Sequence, residues 1–377
     1  VITTPITTPI TMPLVHGGAE LEQTARGVRP HRLPAWVRDR FPDPQLLAAE
    51  SRPAGVRLTM TTGARELVLA LHATRMGYRG AHRPRGAVDL VLDGELVASA
   101  ELDGGDLIEL DPVAGATEFH PAATRSVTFA DLPGGLKRVE LWLPHNESVE
   151  LVELRTDEPV EPTGPRGRRW VHHGSSISQG SNASSPARTW AAIAARRGGV
   201  ELHNLGFGGS AMVDPFVARV IRDAPADLIS LKFGINVVNL DAMRLRTFVP
   251  AVHGFLDTIR DGHPDTPILL LSPIFCAIHE DTPGPGAIDT DAIAAGEVRF
   301  TATGDPGDTR LGRLTLRVVR EALESVAANR ADDENLRYLS GIELYGEADH
   351  ALPDGLHPDT EAHRLIGERF ARHVFGL

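Results

Sequence analysis

The periodicity of the chain changes once, near residue 170, and that change constrains the fold more than any other feature. After Trp170, apolar runs of strand length alternate with stretches of helical period. Strands are expected at 170–173, 200–204, 227–233, 268–271 and 336–344. Helices are expected at 211–223, 240–262, 308–330 and 360–375, with another opened by Ser185-Pro186 and closed at Gly198-Gly199. Strands separated by helices pair in parallel, and their sheet is covered on both faces. Leu245, Phe248, Val252, Phe255 and Ile259 share one helical face, and Pro250 implies a kink there or two helices meeting.

Ahead of residue 160 the period is that of short strands. Val56, Leu58 and Met60 alternate with polar residues, and 67–71 is wholly apolar. Val88, Leu90 and Leu92 run into Asp93-Gly94, a hairpin turn signal, and Leu96 follows. Val127 and Phe129, the turn Pro133-Gly134-Gly135, then Val139, Leu141 and Leu143 continue the pattern. These runs predict an all-β sandwich, jelly-roll-like, over 18–160. Residues 1–17, with their repeated Ile-Thr-Thr-Pro, read as a flexible tail, and 161–169 as a linker to a domain spanning 170–377. Residues 276–307 are rich in Gly, Pro, Asp and Thr, and are either a lid or a disordered surface insertion.

The 377 residues carry a formal charge of -12, which argues against a nucleic-acid or anionic-membrane surface. One cysteine, Cys276, excludes an internal disulfide and points to a reducing, cytoplasmic setting. No apolar run approaches the ~20 residues that span a bilayer. The sequence opens at Val1, which leaves a removed leader open.

Four segments at the ends of the later strands carry chemistry, where α/β sheets gather their sites. Gly174-Ser175-Ser176-Ile177 can expose a serine hydroxyl and its N–H at a strand-to-helix turn. Asn204-Leu205-Gly206-Phe207-Gly208-Gly209 allows close backbone approach to a ligand. Gly234-Ile235-Asn236 offers a side-chain amide. In Asp354-Gly355-Leu356-His357, a carboxylate three residues ahead of a histidine can fix its tautomer and leave the other nitrogen as a base. Each alone also reads as an ordinary turn or cap.

Ser, Gly, Asn and His in this order resemble the SGNH hydrolase superfamily, also called the GDSL esterase/lipase family, over residues 168–377. The resemblance implies a flavodoxin-like three-layer α/β fold. It implies Ser176 as nucleophile, His357 as general base and Asp354 as its orienter. The oxyanion donors would be the Ser176 N–H, the Gly209 N–H and the Asn236 side chain, with Gly208 as the alternate glycine. Two positions depart from the family pattern: Ser175 replaces the Asp before the nucleophile, and Val237 the Asp after the asparagine.

The whole chain resembles, more narrowly, a GDSL-family salicylyl acyltransferase of tetracycline-type polyketide biosynthesis. That implies a small-molecule acyl donor, such as a coenzyme A thioester, and an alcohol acceptor on a polyketide. It implies no cofactor, no metal, no nucleic acid and no membrane. A carbohydrate or small-ester esterase is the first alternative, with strand-face aromatics at Trp36, Tyr78 and Trp142 as its candidates. A non-catalytic binding protein on an SGNH scaffold is the second. Asn146-Glu147-Ser148 and Asn182-Ala183-Ser184 match the short glycosylation pattern. His350, His357, His363 and His373 lack the companions of a zinc site, and His363 and His373 are expected on an exposed helix face. Trp190 and Phe255 read as core. Phe207, Phe233 and Phe275 read equally as core or as a face for a flat acyl group.

Overall fold

The computed structural model describes residues 5–111 and 114–377. Its second half is a five-stranded, wholly parallel sheet of strands Arg169–Gly174, Glu201–Gly206, Leu228–Lys232, Ile268–Leu271 and Leu336–Leu339. Numbered along the chain, they lie in the order 2-1-3-4-5. This is the flavodoxin-like order, and its crevice opens at the carboxyl ends of the first and third strands, where the winding reverses.

Helices cover both faces. Phe248, Val252, Phe255, Leu256 and Ile259 of the helix Leu245–Arg260 pack on one face, with the helices Pro215–Asp223 and Leu316–Ala328. Trp190–Gly198 and Thr360–Phe375 cover the other, around Trp170, Trp190 and Phe370. Pro250 lies inside one helix, so the two-helix alternative fails, and Leu245 is exposed rather than core. The serine-proline signal opens a 3-10 turn, Pro186–Arg188, and the helix begins at Trp190 under a Thr189 cap.

The first half holds an eight-stranded and a six-stranded sheet, mostly antiparallel, whose apolar faces share one core. The tail expectation is corrected. Ile6–Thr8 pairs with Ser148–Thr156, and Val15–His16 pairs with Arg57–Thr62, so residues 5–17 are tied to both sheets. Their threonines and isoleucines suit an edge strand, which the repetitive sequence disguised. Residues 1–4 lie outside the described residues. The linker expectation is also narrowed, because Val160–Pro162 still pairs with Arg57–Thr62.

The boundary at residue 18 hides a second exchange between the halves. The helices Ala35–Arg40 and Pro44–Glu50 place Leu33, Val37, Leu46 and Ala49 in the core of the parallel-sheet domain. Arg32 beside them is fully buried and donates to the carbonyls of Asn204 (3.1 Å) and Gly206 (2.6 Å). Its guanidinium lies 5.0 Å from the centre of the Phe207 ring. Burial, partly offset by Glu50, lowers its pKa to about 9. Asp89 accepts from the Ser185 hydroxyl at 2.6 Å and the Ala187 N–H at 2.8 Å, and Arg57 pairs with Glu201 across the same junction. Trp142 is buried here beneath Arg57, so it offers no platform to a sugar. Among the described residues no helix is long and apolar enough to cross a membrane.

Candidate active site

Ser176 sits where the first parallel strand turns into a one-turn helix, Ser176–Gln179. Ser175, one of the two departures from the family pattern, caps that turn by accepting the Ile177 N–H at 3.3 Å. Val237, the other departure, is fully buried in the core. A buried relay ties the turn to the sheet. His172 lies 2.7 Å from Ser178 Oγ through Nε2 and 2.7 Å from Ser230 Oγ through Nδ1, and the Trp170 indole donates to that same Ser230 oxygen. Burial holds His172 well below the ordinary histidine pKa, so the ring stays neutral. It meets Ser178 and not Ser176.

The three residues expected to form a triad are brought together. Ser176 Oγ is 3.0 Å from His357 Nε2, and His357 Nδ1 is 2.8 Å from Asp354 Oδ2. Asp354 also accepts backbone N–H groups of Leu356 at 2.9 Å and His357 at 2.6 Å. Burial acts most strongly on Asp354 and raises its pKa. The hydrogen bond and charge of His357, with the two backbone donors, outweigh it and bring the carboxyl down to about 2. An ionised carboxylate only accepts, so His357 carries its proton on Nδ1 and turns Nε2 to the serine hydroxyl as an acceptor.

The Asn236 Oδ1 accepts the Ala211 N–H at 3.2 Å, which pins the amide against the glycine loop. Its Nδ2 donates to no acceptor among the described residues. The Ser176 N–H opens a helix and has no intrahelical partner. The two glycine candidates differ. Gly208 gives its N–H to Gln179 Oε1 at 2.8 Å, whereas Gly209, at φ +71, has no hydrogen-bond acceptor for its N–H among the described residues. Gly206 is required by close approach, since a side chain there would meet the Gln179 nitrogen at 2.5 Å.

Several residues at this site were missed from the sequence. Asn182, noticed only within a glycosylation pattern, donates to Asp354 Oδ2 at 2.9 Å. Gln45, from the first half, donates to the Gly208 carbonyl at 2.9 Å. Phe300 sets its ring edge-on to His357 at 5.3 Å and donates its N–H to the Asp354 carbonyl at 2.8 Å. Phe300 belongs to a hairpin, Gly286–Ile288 with Phe300–Ala302, so the 276–307 segment is folded rather than a disordered insertion. No local motif marks these three, because each acts across a long sequence separation.

Other expectations change. Phe207 and Phe233 are core residues packed on the His173 ring and not a face for a ligand. His363 is fully buried and not exposed, with Nε2 2.9 Å from the Ser181 carbonyl. Trp190 and Phe255 are core. Beside Gly209 lies an apolar cavity of about 530 Å³, lined by Phe41, Leu46, Met212, Phe216 and Leu240, with Asp43 and Asp214 at its edge. Phe41 and Phe216 stack there at 4.3 Å.

A buried-acid, histidine and serine relay on a flavodoxin-like sheet defines a serine enzyme of the GDSL acyl-hydrolase and acyltransferase class. Residues 168–279 match the model of the GDSL-like Lipase/Acylhydrolase family. Residues 14–151 match the model described as SsfX3, N-terminal domain. The structure is similar to that of the salicylyl-acyltransferase SsfX3 from a tetracycline biosynthetic pathway. Identity is 27%, TM-score 0.79, and the match covers 97% of this chain and 95% of that one. A GDSL-like lipase from Bacteroides ovatus ATCC 8483 is 19% identical, with TM-score 0.69 over 97% and 96% of the two chains. A family two carbohydrate esterase from Cellvibrio japonicus is 14% identical, with TM-score 0.59 over 100% and 99%. No curated protein sequence matches the chain.

Proposed function

We propose that the protein moves an acyl group from an activated thioester to a hydroxyl through an acyl-Ser176 intermediate. His357 Nε2 takes the serine proton as Oγ attacks the carbonyl carbon, and Asp354 steadies the imidazolium that forms. The Ser176 N–H, the Gly209 N–H and the Asn236 amide receive the oxyanion. Collapse expels the thiolate, which takes the proton from His357. An alcohol then attacks the ester, gives its proton to His357, and the serine leaves with it. The observation that carries this reading is the Ser176–His357–Asp354 relay at 3.0 and 2.8 Å.

The finer reading is an aryl group, such as salicylyl, passed to a polyketide alcohol. It is supported by the likeness to SsfX3 and by the apolar cavity beside Gly209. We read the first half as a jelly-roll-like accessory sandwich that supplies one wall of the cleft, and the hairpin over His357 as a barrier to water. Intact mass after incubation with benzoyl and salicylyl thioesters tests the intermediate. The mass of one acyl group should appear on native protein and not on Ser176→Ala. Shortening the 286–302 hairpin should raise hydrolysis relative to transfer, and an unchanged ratio would remove the barrier.

A further inference from the structure

The second cleft between the halves has a charge that the rest of the chain does not lead one to expect. It is about 560 Å³ and is bounded by Arg52, Arg75, Arg83 and Arg85 on one side. Gln179 and residues 181–184, the segment that leaves the nucleophile turn, bound the other. In a chain of net charge -12, four guanidinium groups meet in one place.

Their partners are unequal. Arg85 is held by Glu147 at 2.9 Å, and Glu147 also accepts the Gly86 N–H at 2.6 Å. Arg52, Arg75 and Arg83 form no ion pair among the described residues. Arg52 donates to the sulfur of Met76, and Arg83 lies over the Tyr78 ring at 5.8 Å. Glu101, the other carboxylate at the rim, is exposed. Arg52 is half-buried, and burial together with neighbouring Arg83 lowers its pKa. Like charges gathered in a partly dry cleft repel each other and lose hydration, so the arrangement is costly unless an anion completes it. Planar guanidinium forks suit phosphate oxygens in particular.

The cleft adjoins the segment that follows Ser176. Gln179 bridges the two, accepting the Gly208 N–H on one side and donating to the His145 carbonyl at 3.1 Å on the other. Asn182 lines the cleft and touches Asp354. The 286–302 hairpin reaches the loop that leads to Arg83, since a side chain at Gly80 would meet the Ile293 carbonyl at 4.0 Å.

We infer that Arg52, Arg75 and Arg83 bind the phosphate groups of the acyl donor, a thioester whose long arm ends in a phosphate or diphosphate. The inference rests on the acyl-transfer reading and adds to it the residues that hold the donor's phosphates. Free coenzyme A, 4′-phosphopantetheine and inorganic pyrophosphate are the probes, titrated by calorimetry into native protein and into Arg52→Gln/Arg83→Gln. Binding of coenzyme A or phosphopantetheine that falls at least about tenfold in the variant, and recovers in part in Arg52→Lys/Arg83→Lys, is the expected result. Coenzyme A alone would assign the source to a nucleotide diphosphate, and phosphopantetheine binding equally well to the shared arm.

A kinetic pair separates this from the parent reading. The variant should lose about tenfold in kcat/KM with benzoyl-coenzyme A and less than about twofold with the uncharged benzoyl N-acetylcysteamine thioester. Equal loss with both donors, no loss with either, or no binding of any phosphate probe overturns the anion site. Acylation of Ser176 by the uncharged donor would survive each of those outcomes. Failure of that acylation in native protein would instead remove the parent reading.

Discussion

The two sides of the proposed catalytic cleft are built by different rules. The reacting side is local: Ser176, Asn236, Asp354 and His357 each sit in a short segment following a parallel strand or preceding the last helix. The recognising side is assembled at long range. Gln45 of the first half donates to the Gly208 carbonyl, and Phe41 and Arg52 line cavities with Gly209 and Gln179 of the second. Chemistry of this type needs a few atoms in fixed relation, which strand ends supply. A surface shaped to one donor, as proposed above, needs area, and the first half of the chain supplies it.

The comparison breaks first if the reacting side is not where the acyl group goes. Ser176→Ala and His357→Ala should each lower kcat/KM on an activated thioester by about 10⁴-fold or more, because members of one relay fail together. Circular dichroism and melting should stay native-like. A Ser176→Ala protein with normal turnover would end the assignment. Asn236→Ala should cost about 10²–10³ in kcat, roughly 2.7–4 kcal/mol, with KM little changed. If KM rose while kcat held, the amide would belong to ground-state binding.

The junction should behave in the opposite way. Arg32→Met removes a buried cation that ties the carbonyls of Asn204 and Gly206 to the first half. Hydrogen bonds from a charged donor contribute about 1.5–3 kcal/mol each. The melting temperature should fall while kcat per folded molecule stays within about threefold. A variant that keeps its melting temperature but loses kcat would show that Arg32 acts on the site and not on the junction.

How much could be read in advance follows the same division. The parallel sheet was legible because fully buried strands such as 268–271 are continuous apolar runs that no loop resembles. The last helix was legible to the residue, at 360–375, and the structure adds Asp359 as its cap. The candidate relay was legible because its spacing within each segment is fixed by a single turn. The edge strand Ile6–Thr8 was not, since its pairing with Ser148–Thr156 spans most of the first half. Gln45, Asn182 and Phe300 were not, because an amide or a phenyl ring has no local signature until a partner distant in sequence is placed against it. Buried His363 was misread because helical phase alone does not say which face a neighbouring helix will cover.

The smallest expected effect sharpens the comparison most, because it lies where the two sides meet. Asp214 edges the apolar cavity beside Gly209. Burial chiefly, with a further contribution from Asp43 of the first half, pushes its carboxyl up to about 6, against a lowering by the Met212 N–H. A carboxyl with a raised folded pKa holds its proton more tightly in the native state than in the unfolded one. Its contribution to stability is therefore complete below the unfolded value of 3.8 and is lost as pH rises through about 6. At 1.36 kcal/mol per unit the whole swing is at most about 3 kcal/mol. Urea titrations of native protein should show stability falling from pH 4 to pH 7 by an amount that Asp214→Asn abolishes. The cavity also gains charge over that range, so KM for a benzoyl thioester should rise above pH 6 more than KM for an acetyl thioester. Asp214→Asn should flatten that difference while leaving the shared kcat profile in place. A slope identical in native protein and variant would mean that Asp214 does not cause it and that the cavity wall does not titrate over this range.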